Sequence, residues 1–146
     1  MNVRDVRDYE PGDYAEWLRM RSALWPDQTE KDMAEWLARS DTAVMVAVRS
    51  AGSLCGFVEV GERTNADGCE TSPIAYVEGW YVDPDVRRQR IGARLIAAAE
   101  TFARSRGYRE LGSDTEWHNT VSQAAHRQLG FEELDRVVLY RKVLST

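Results

Sequence analysis

The fold of this chain is decided by residues 82–96, Val82-Asp83-Pro84-Asp85-Val86-Arg87-Arg88-Gln89-Arg90-Ile91-Gly92-Ala93-Arg94-Leu95-Ile96. An apolar strand precedes this stretch and ends at Asp83-Pro84, where proline interrupts the extended pattern. After the arginines, apolar side chains fall on one face of a helix, at Ile91, Leu95, Ile96, Ala99 and Phe102. The pattern predicts a strand, a cationic turn and a helix from Val86 to Ser105.

The cationic turn has the features of an anion site. The first N–H groups of a helix have no intrahelical partner, and the helix dipole is positive at that end. Gly92 lacks a Cβ, so phosphates could approach the backbone, and Arg87, Arg88 and Arg90 would add charge-assisted contacts. A solvated basic helix start without a ligand is the alternative. Cations oppose the dipole here, so three arginines favour a bound anion.

Composition favours one small globular domain over residues 1–146. Apolar residues make up 43% and charged residues 29% of the chain, which is typical of a packed domain. The net charge of −5 is unlike a nucleic-acid-binding surface. It favours cationic partners or substrates, and the alternative is that it serves solubility alone. Residues 1–5 lack the apolar core of a signal peptide, and no apolar run is long enough to span a membrane. We therefore expect a cytoplasmic protein that binds neither nucleic acid nor membrane.

The cysteines and histidines do not predict a metal site. Cys55 and Cys69 lack the C-x-x-C spacing, and we interpret them as reduced thiols, one in a buried strand and one in a loop. His118 and His126 have no partners at ligand spacing.

Strands and helices alternate along the chain as an α/β (α+β) domain requires. We predict strands at 2–7, 43–48, 54–60, 74–82, 108–114 and 136–143, with 43–60 forming a hairpin, and helices at 11–24, 30–39, 86–105 and 119–129. Gly79 inside the fourth strand indicates a β-bulge there.

The arginine turn resembles the pyrophosphate-binding motif of the GNAT superfamily of acetyl-CoA-dependent N-acetyltransferases, which reads R/Q-x-x-G-x-G/A. Arg87 matches the first position and Gly92 the last, whereas Arg90 stands in place of the first glycine. We expect an ordinary, not left-handed, backbone at this arginine. The resemblance covers nearly the whole chain and implies the GNAT fold, a mixed central sheet flanked by helices.

The GNAT resemblance also implies how acetyl-CoA binds. The fourth and fifth strands of that fold splay apart, and the coenzyme inserts between them. Splaying exposes backbone groups of the fourth strand to the pantetheine arm, and an N–H there can polarise the thioester. The implied coenzyme-binding residues are Trp80, Tyr81, Val82, Arg87, Arg88, Gln89, Arg90, Ile91, Gly92 and Ala93, with Asn119 both a helix N-cap and a pantetheine contact.

A closer resemblance concerns the substrate. Six blocks look like the chromosomal-type aminoglycoside 6′-N-acetyltransferases: Leu24-Trp25-Pro26, Glu70-Thr71-Ser72-Pro73, Glu78-Gly79-Trp80-Tyr81-Val82, Gly112-Ser113-Asp114, His126-Arg127-Gln128-Leu129-Gly130-Phe131 and Arg136-Val137-Val138. The subgroup implies a homodimer and a drug site formed by Trp25, Glu78, Asp114 and Asp135. Asn65 stands where the subgroup carries a tyrosine that stacks on the drug.

The chemistry of these residues fits a polycationic substrate. Carboxylates suit ammonium groups, an indole offers a flat apolar face, and Glu78 and Asp114 are expected near the carboxyl ends of neighbouring strands. Trp25 is equally typical of a core residue, and Asp135 of a turn. A bound ammonium must lose a proton before it attacks, and Asp114 is the first candidate base, with Glu78 next.

Acetyl transfer is expected to be direct, in a ternary complex, because no serine or cysteine lies in a nucleophile motif. His126 stands where most GNAT enzymes have a tyrosine acid for the leaving thiolate; a histidine that bonds a backbone carbonyl is the alternative. Two other functions stay open. One is acetylation of another small amine such as a polyamine, and the other is a non-catalytic acetyl-CoA-binding module.

Overall fold

A computed structural model of the protein describes residues 3–145. The chain divides into two compact units, one ending at Ser113 and the other beginning at Asp114. The prediction of a single domain stays a prediction. The first unit contains β1 (Val3–Asp8), α1 (Tyr14–Leu24), α2 (Glu30–Ala38), β2 (Thr42–Arg49), β3 (Leu54–Arg63), β4 (Ile74–Val82), α3 (Ile91–Ser105) and β5 (Leu111–Ser113).

One mixed sheet organises the first unit. Its strands lie in the order β1-β2-β3-β4-β5, antiparallel except for the parallel pair β4 and β5. This confirms the mixed α/β sheet and the predicted hairpin, whose turn contains Gly52 at a φ of 103°. Asn2, the predicted start of the first strand, lies outside the described residues.

The core of the first unit follows the apolar pattern of its helices and strands. A cluster of buried side chains joins α1 and α2 to the sheet and includes Trp17, Met20, Met33, Val46 and Phe57. The helix boundaries follow the capping signals in the sequence. The Thr29 hydroxyl accepts a hydrogen bond from the Asp32 N–H, and the Asp32 carboxylate accepts one from the Thr29 N–H.

The helix after the arginine turn begins later than predicted. A short 3-10 turn covers Pro84–Val86, and α3 starts at Ile91, so the four residues between them form a loop instead of the predicted first helical turn. Four of the five predicted apolar face positions are buried, at Ile91, Leu95, Ile96 and Ala99. The helix therefore packs as its periodicity predicted, and Arg87, Arg88 and Arg90 precede it in the loop.

The fourth strand contains the predicted bulge. Glu59 of β3 pairs with Gly79 and Val60 pairs with Val77, so Glu78 is the extra residue. Glu78 therefore lies in the middle of β4, and our expectation that it ends a strand is wrong. The parallel pairing with β5 covers only Ala75 to Val77 and stops one residue before this bulge. The ladder ends there, at the last residue of β5, which is the place where the fourth and fifth strands of the GNAT fold splay apart.

The second unit contains α4 (Thr120–Gln128) and little other regular structure. Asn119 caps α4 as predicted, since its side-chain oxygen accepts a hydrogen bond from the Ser122 N–H at 3.0 Å. The predicted last strand, 136–143, is wrong: no strand is assigned to its β-branched and aromatic residues. A high β-propensity forms a strand only where a neighbouring strand supplies hydrogen bonds, and no ladder partner is present within residues 3–145.

Two kinds of feature are absent from residues 3–145. None of its helices combines the length and apolar character needed to cross a membrane. Over the same residues, no three acidic, histidine or cysteine side chains are grouped to hold a metal ion.

Candidate active site

The arginine loop adopts an unusual backbone before α3. Arg88 has a φ of 71° and Arg90, the N-cap residue of α3, has a φ of 63° with a ψ of 19°. Both lie in the left-handed region, so the expectation of an ordinary backbone at Arg90 is wrong. A non-glycine residue in this region costs about 1 kcal/mol. Arg90 occupies the position where the GNAT motif has a glycine, which adopts this backbone without strain. The loop therefore keeps the left-handed backbone at this position although the residue is an arginine.

Two contacts join the arginine loop and the start of α3 to β4, one made by Arg87 and the other by Trp80. The Arg87 Nε donates a hydrogen bond to the Val82 carbonyl at 2.9 Å, which ties the loop to the end of β4. A Cβ on Gly92 would lie 3.1 Å from the indole ring of Trp80. Gly92 thus permits close packing of β4 against α3, a role that the sequence did not indicate. Both residues are predicted coenzyme contacts, and the structure places them against each other.

A buried carboxylate that sequence analysis missed holds the start of the loop. Asp83 is 5% exposed and accepts hydrogen bonds from Arg19 at 3.0 and 3.1 Å and from Arg49 at 3.0 Å. Arg49 also binds the exposed Asp85 at 2.8 and 2.9 Å. Burial alone would raise the pKa of Asp83, but the two guanidinium groups outweigh it and lower the pKa overall.

Replacing Asp83 by asparagine should lower stability at pH 7 by about 2–3 kcal/mol, because two arginines lose a buried partner. The lowered pKa means that the carboxylate stabilises the fold above its unfolded pKa of about 4 and loses this effect as the pH falls through its folded pKa. The difference in melting temperature from the parent chain should therefore shrink in acid. Asp85→Asn, which removes an exposed carboxylate from the same Arg49, is the control and should have little effect. Equal losses in the two variants would contradict the anchoring role of Asp83.

The bulge residue Glu78 already has a cationic partner. The Arg63 Nε and Nη2 donate to its two carboxylate oxygens at 2.8 and 2.7 Å. The guanidinium carbon lies 3.5 Å from the centre of the Tyr76 ring. Arg63, which sequence analysis did not single out, is therefore the immediate neighbour of the predicted substrate carboxylate.

Trp25 lies against the same strand, at Gly79. A Cβ on Gly79 would meet the Trp25 ring at 2.6 Å, so the glycine makes room for the indole as well as for the bulge. The Arg21 guanidinium lies 4.8 Å from the centre of this ring. The partly buried ring also lines an open depression of about 300 Å³, with Arg21, Asp27, Gln28 and Asp32. Trp25 thus packs on the strand, as a core residue would, and also borders an open depression, while its role toward a substrate stays a prediction.

The Arg21 side chain that contacts the Trp25 ring also belongs to a buried ion pair. Glu59 is 1% exposed and accepts hydrogen bonds from Arg21 at 2.8 and 3.2 Å and from the Trp17 indole at 3.0 Å. Burial raises the pKa of Glu59 even though Arg21 and Trp17 oppose the shift. This pair was not predicted from the sequence, although a glutamate inside the apolar run of β3 is a recognisable signal.

The loop before β4 is tied to the residue before β5. Glu110 accepts hydrogen bonds from the backbone N–H groups of Glu70 and Thr71, at 2.9 and 2.6 Å, and from the Thr71 hydroxyl. The Thr71 hydroxyl and N–H hold the pKa of Glu110 below its usual value. Asn65 lies exposed in this loop. Glu110 thus anchors the end of the loop next to β4, and the asparagine at position 65 has no ring to stack.

The remaining predicted residues belong to the second unit. Asp114 is its first residue, directly after β5, and Asp135 is exposed and accepts a hydrogen bond from the Arg136 N–H at 2.7 Å. His126 lies on α4 with Nδ1 2.7 Å from the Ser122 carbonyl oxygen. Because a carbonyl only accepts, Nδ1 carries a proton, which matches the structural alternative for this histidine. Acid catalysis by its other nitrogen would require the imidazolium.

Comparison with known proteins agrees with this geometry. Residues 12–131 match the model of the Acetyltransferase (GNAT) family. The chain is 42% identical to an aminoglycoside N(6′)-acetyltransferase type 1 from Klebsiella aerogenes, covering 95% of this chain and 96% of the relative. It is 43% identical to a protein of the same name from Serratia marcescens, covering 88% and 92%.

Solved structures give the same result. AAC(6′)-Iy, in complex with the bisubstrate analogue CoA-S-monomethyl-acetylneamine, superposes with a TM-score of 0.88 at 34% identity, covering 96% of this chain and 98% of that one. AAC(6′)-Ih from Acinetobacter baumannii gives 0.89 at 28% identity, covering 97% and 99%. The sheet, the end of the ladder between β4 and β5, the arginine loop and these relatives together place the chain in the GNAT family of acetyltransferases, among the aminoglycoside N(6′)-acetyltransferases.

Proposed function

We propose that this chain transfers the acetyl group of acetyl-CoA to the 6′-amine of aminoglycoside antibiotics and thereby confers resistance. The observation that carries this proposal is the 42% identity, over nearly the full length of both chains, to a relative with that activity in its name. The fold supports it, because the ladder between strands β4 and β5 ends after Val77 and the α3 N-terminus follows an arginine loop.

Acetyl-CoA has a suitable place in the first unit. The pyrophosphate would lie at Arg87–Ala93, where the N–H groups of the first turn of α3 and the arginine side chains offer donors and positive charge. The pantetheine arm would lie along β4 beyond the bulge, at the backbone of Trp80, Tyr81 and Val82. Asn119 and Ile91 complete the proposed coenzyme contacts.

The aminoglycoside is proposed to use the carboxylates and the indole. Glu78 and Asp135 would bind ammonium groups, Trp25 would offer an apolar face, and Asn65 would offer hydrogen bonds where relatives stack a ring. Asp114 would take the proton from the 6′-ammonium, directly or through water. Glu78 becomes the weaker candidate base, because both of its oxygens accept hydrogen bonds from Arg63.

The proposed reaction is direct. Asp114 first takes one proton from the 6′-ammonium, and the neutral amine then attacks the thioester carbonyl carbon. As the carbon–sulfur bond breaks, the nitrogen loses its second proton to solvent and the sulfur of coenzyme A leaves as the thiolate. A protonated His126 would donate to that thiolate. The products are the 6′-N-acetylated drug and coenzyme A, with no acyl-enzyme.

Expression in a susceptible bacterium should raise tolerance to aminoglycosides that carry a 6′-amine and not to analogues with a 6′-hydroxyl. The hydroxyl is a weaker nucleophile and offers no ammonium to the carboxylates. Minimum inhibitory concentrations, together with coenzyme A release by the purified protein, measure the effect. Coenzyme A release with spermidine or a peptide and none with any aminoglycoside would identify a different acceptor, and no release with any amine would identify a non-catalytic module.

We also propose that the chain is a homodimer. Support comes from apolar side chains in the second unit that are largely exposed, at 58% for Val137, 73% for Val138, 89% for Leu139 and 91% for Tyr140. Light scattering at micromolar concentration should give the mass of two chains. A single-chain mass would contradict the proposal.

A further inference from the structure

Arg63 and Glu78 form a bidentate ion pair. Two parallel hydrogen bonds, of 2.8 and 2.7 Å, join the Nε and Nη2 of Arg63 to the two oxygens of Glu78. The side chain of Arg63 is 40% exposed and that of Glu78 is 27% exposed. The pair is therefore open to solvent, and a dissolved cation can reach it.

The fold holds both partners in place. Arg63 ends β3, and its guanidinium stacks 3.5 Å from the centre of the Tyr76 ring, whose residue is 6% exposed. Gly112 makes room for that ring, since a Cβ there would lie 2.7 Å from it. The bulge in β4 then presents Glu78 to the stacked guanidinium. Strand register, ring and bulge all favour the paired state.

We propose that Arg63 is a specificity-determining residue that competes with the ammonium groups of the substrate for Glu78. The inference rests on the proposed role of Glu78 in binding the aminoglycoside. A carboxylate has about four acceptor positions, and the guanidinium fork occupies two of them. An ammonium group of the substrate can use the remaining two acceptor positions of Glu78, but it then lies beside the positive charge of Arg63.

The consequence is a site that discriminates by charge. Each ammonium group of the substrate is attracted by Glu78 and repelled by Arg63, so the net attraction is weaker than an unpaired glutamate would give. The penalty grows with the number of positive charges on the substrate and falls as salt screens them. Arg63 therefore disfavours the most highly charged drugs relative to those with fewer amines.

Steady-state kinetics of Arg63→Met with tobramycin and with kanamycin A, which has one amine fewer, test this inference. The KM for tobramycin should fall by about fivefold, the scale of one partly exposed ion pair. The fall should be smaller for kanamycin A and smaller again at high salt. The KM for acetyl-CoA should not change. Arg63→Gln is a second neutral variant in case the methionine variant does not fold.

Matched variants separate the charge from packing. Arg63→Lys keeps the positive charge, so its KM for tobramycin should stay close to that of the parent chain. Arg106→Met removes one positive charge from an arginine that lies over Phe102 at 4.9 Å, and it should leave the KM for tobramycin unchanged. If this control behaves like Arg63→Met, the effect belongs to overall charge and the inference is overturned.

Glu78→Gln distinguishes the inference from the function on which it rests. This variant should raise the KM for both drugs, because the ammonium groups then meet the unpaired charge of Arg63, and adding Arg63→Met to it should relieve that repulsion and lower the KM again. If Glu78→Gln raises the KM but Arg63→Met does not lower it, Arg63 is no competitor and only the inference fails. If Glu78→Gln leaves the KM unchanged in the presence of Arg63, the proposed role of Glu78 is wrong.

Discussion

Asp114→Asn is expected to lower turnover with a 6′-amine aminoglycoside by about 10²-fold or more, the usual scale for losing general-base help. Asparagine keeps the shape and one acceptor oxygen, but it removes the charge and the capacity to take a proton. The KM for acetyl-CoA should barely change, because Asp114 is not among the proposed coenzyme contacts. Stopped-flow or steady-state coenzyme A release measures both parameters.

The matched control is Asp135→Asn, which removes a carboxylate from the same unit of the chain and is proposed only to bind the drug. It should raise the KM for the drug and leave turnover largely intact. If Asp114→Asn behaves in the same way, Asp114 binds the cation and does not act as the base. An unchanged drug KM and turnover in Asp114→Asn would remove Asp114 from the site altogether.

Gly92→Asp is expected to abolish the rise in melting temperature that acetyl-CoA causes in the parent chain. A ligand at 100 times its dissociation constant stabilises a fold by about 2.7 kcal/mol, so the rise is readily measured by differential scanning fluorimetry. The new carboxylate would put a negative charge at the N-terminus of α3, where the pyrophosphate is proposed to bind. An acidic residue is favourable in the first turn of a helix, so the free protein should still fold.

Gly92→Ala is the control for this variant, because it adds the same Cβ without a charge. That Cβ would lie 3.1 Å from the Trp80 ring, so a modest loss of stability is expected without loss of the acetyl-CoA effect. If alanine abolishes the effect as fully as aspartate, the packing of Trp80 accounts for the result. A full acetyl-CoA effect in Gly92→Asp would show that the pyrophosphate does not bind at this turn.

Local pattern predicted most of the fold. The period of the apolar residues located α3 and the hairpin, and Thr29 and Asn119 marked helix starts correctly, because each of these features depends on neighbours in sequence. The last predicted strand failed because a strand depends on a partner elsewhere in the chain or in another chain. Composition alone carries no information about that partner.

Features of the candidate site that depend on a local sequence motif were predicted. Features that depend on contacts between residues distant in sequence were missed. The bulge at Glu78 followed from Gly79, but Arg63 lies fifteen positions away in sequence and meets Glu78 only through the register of β3 and β4. The left-handed backbone of Arg90 was mispredicted because general sterics disfavour it, whereas the glycine of the family motif at that position pointed to it. A residue that departs from a motif can keep the backbone shape that the motif requires.

The buried Arg21–Glu59 pair has a consequence for how such chains diverge. Losing either partner alone leaves an unpaired buried charge and costs about 3–5 kcal/mol, a large part of the 5–15 kcal/mol that holds a typical domain together. Substitutions at these two positions should therefore arise together or not at all along a lineage. Trp25 lies over Arg21, so the ring that is proposed to form a wall of the drug site is inherited with the core and changes less freely than surface loops do. New drug preferences are expected to arise by change at exposed positions such as Asn65, with the tryptophan retained.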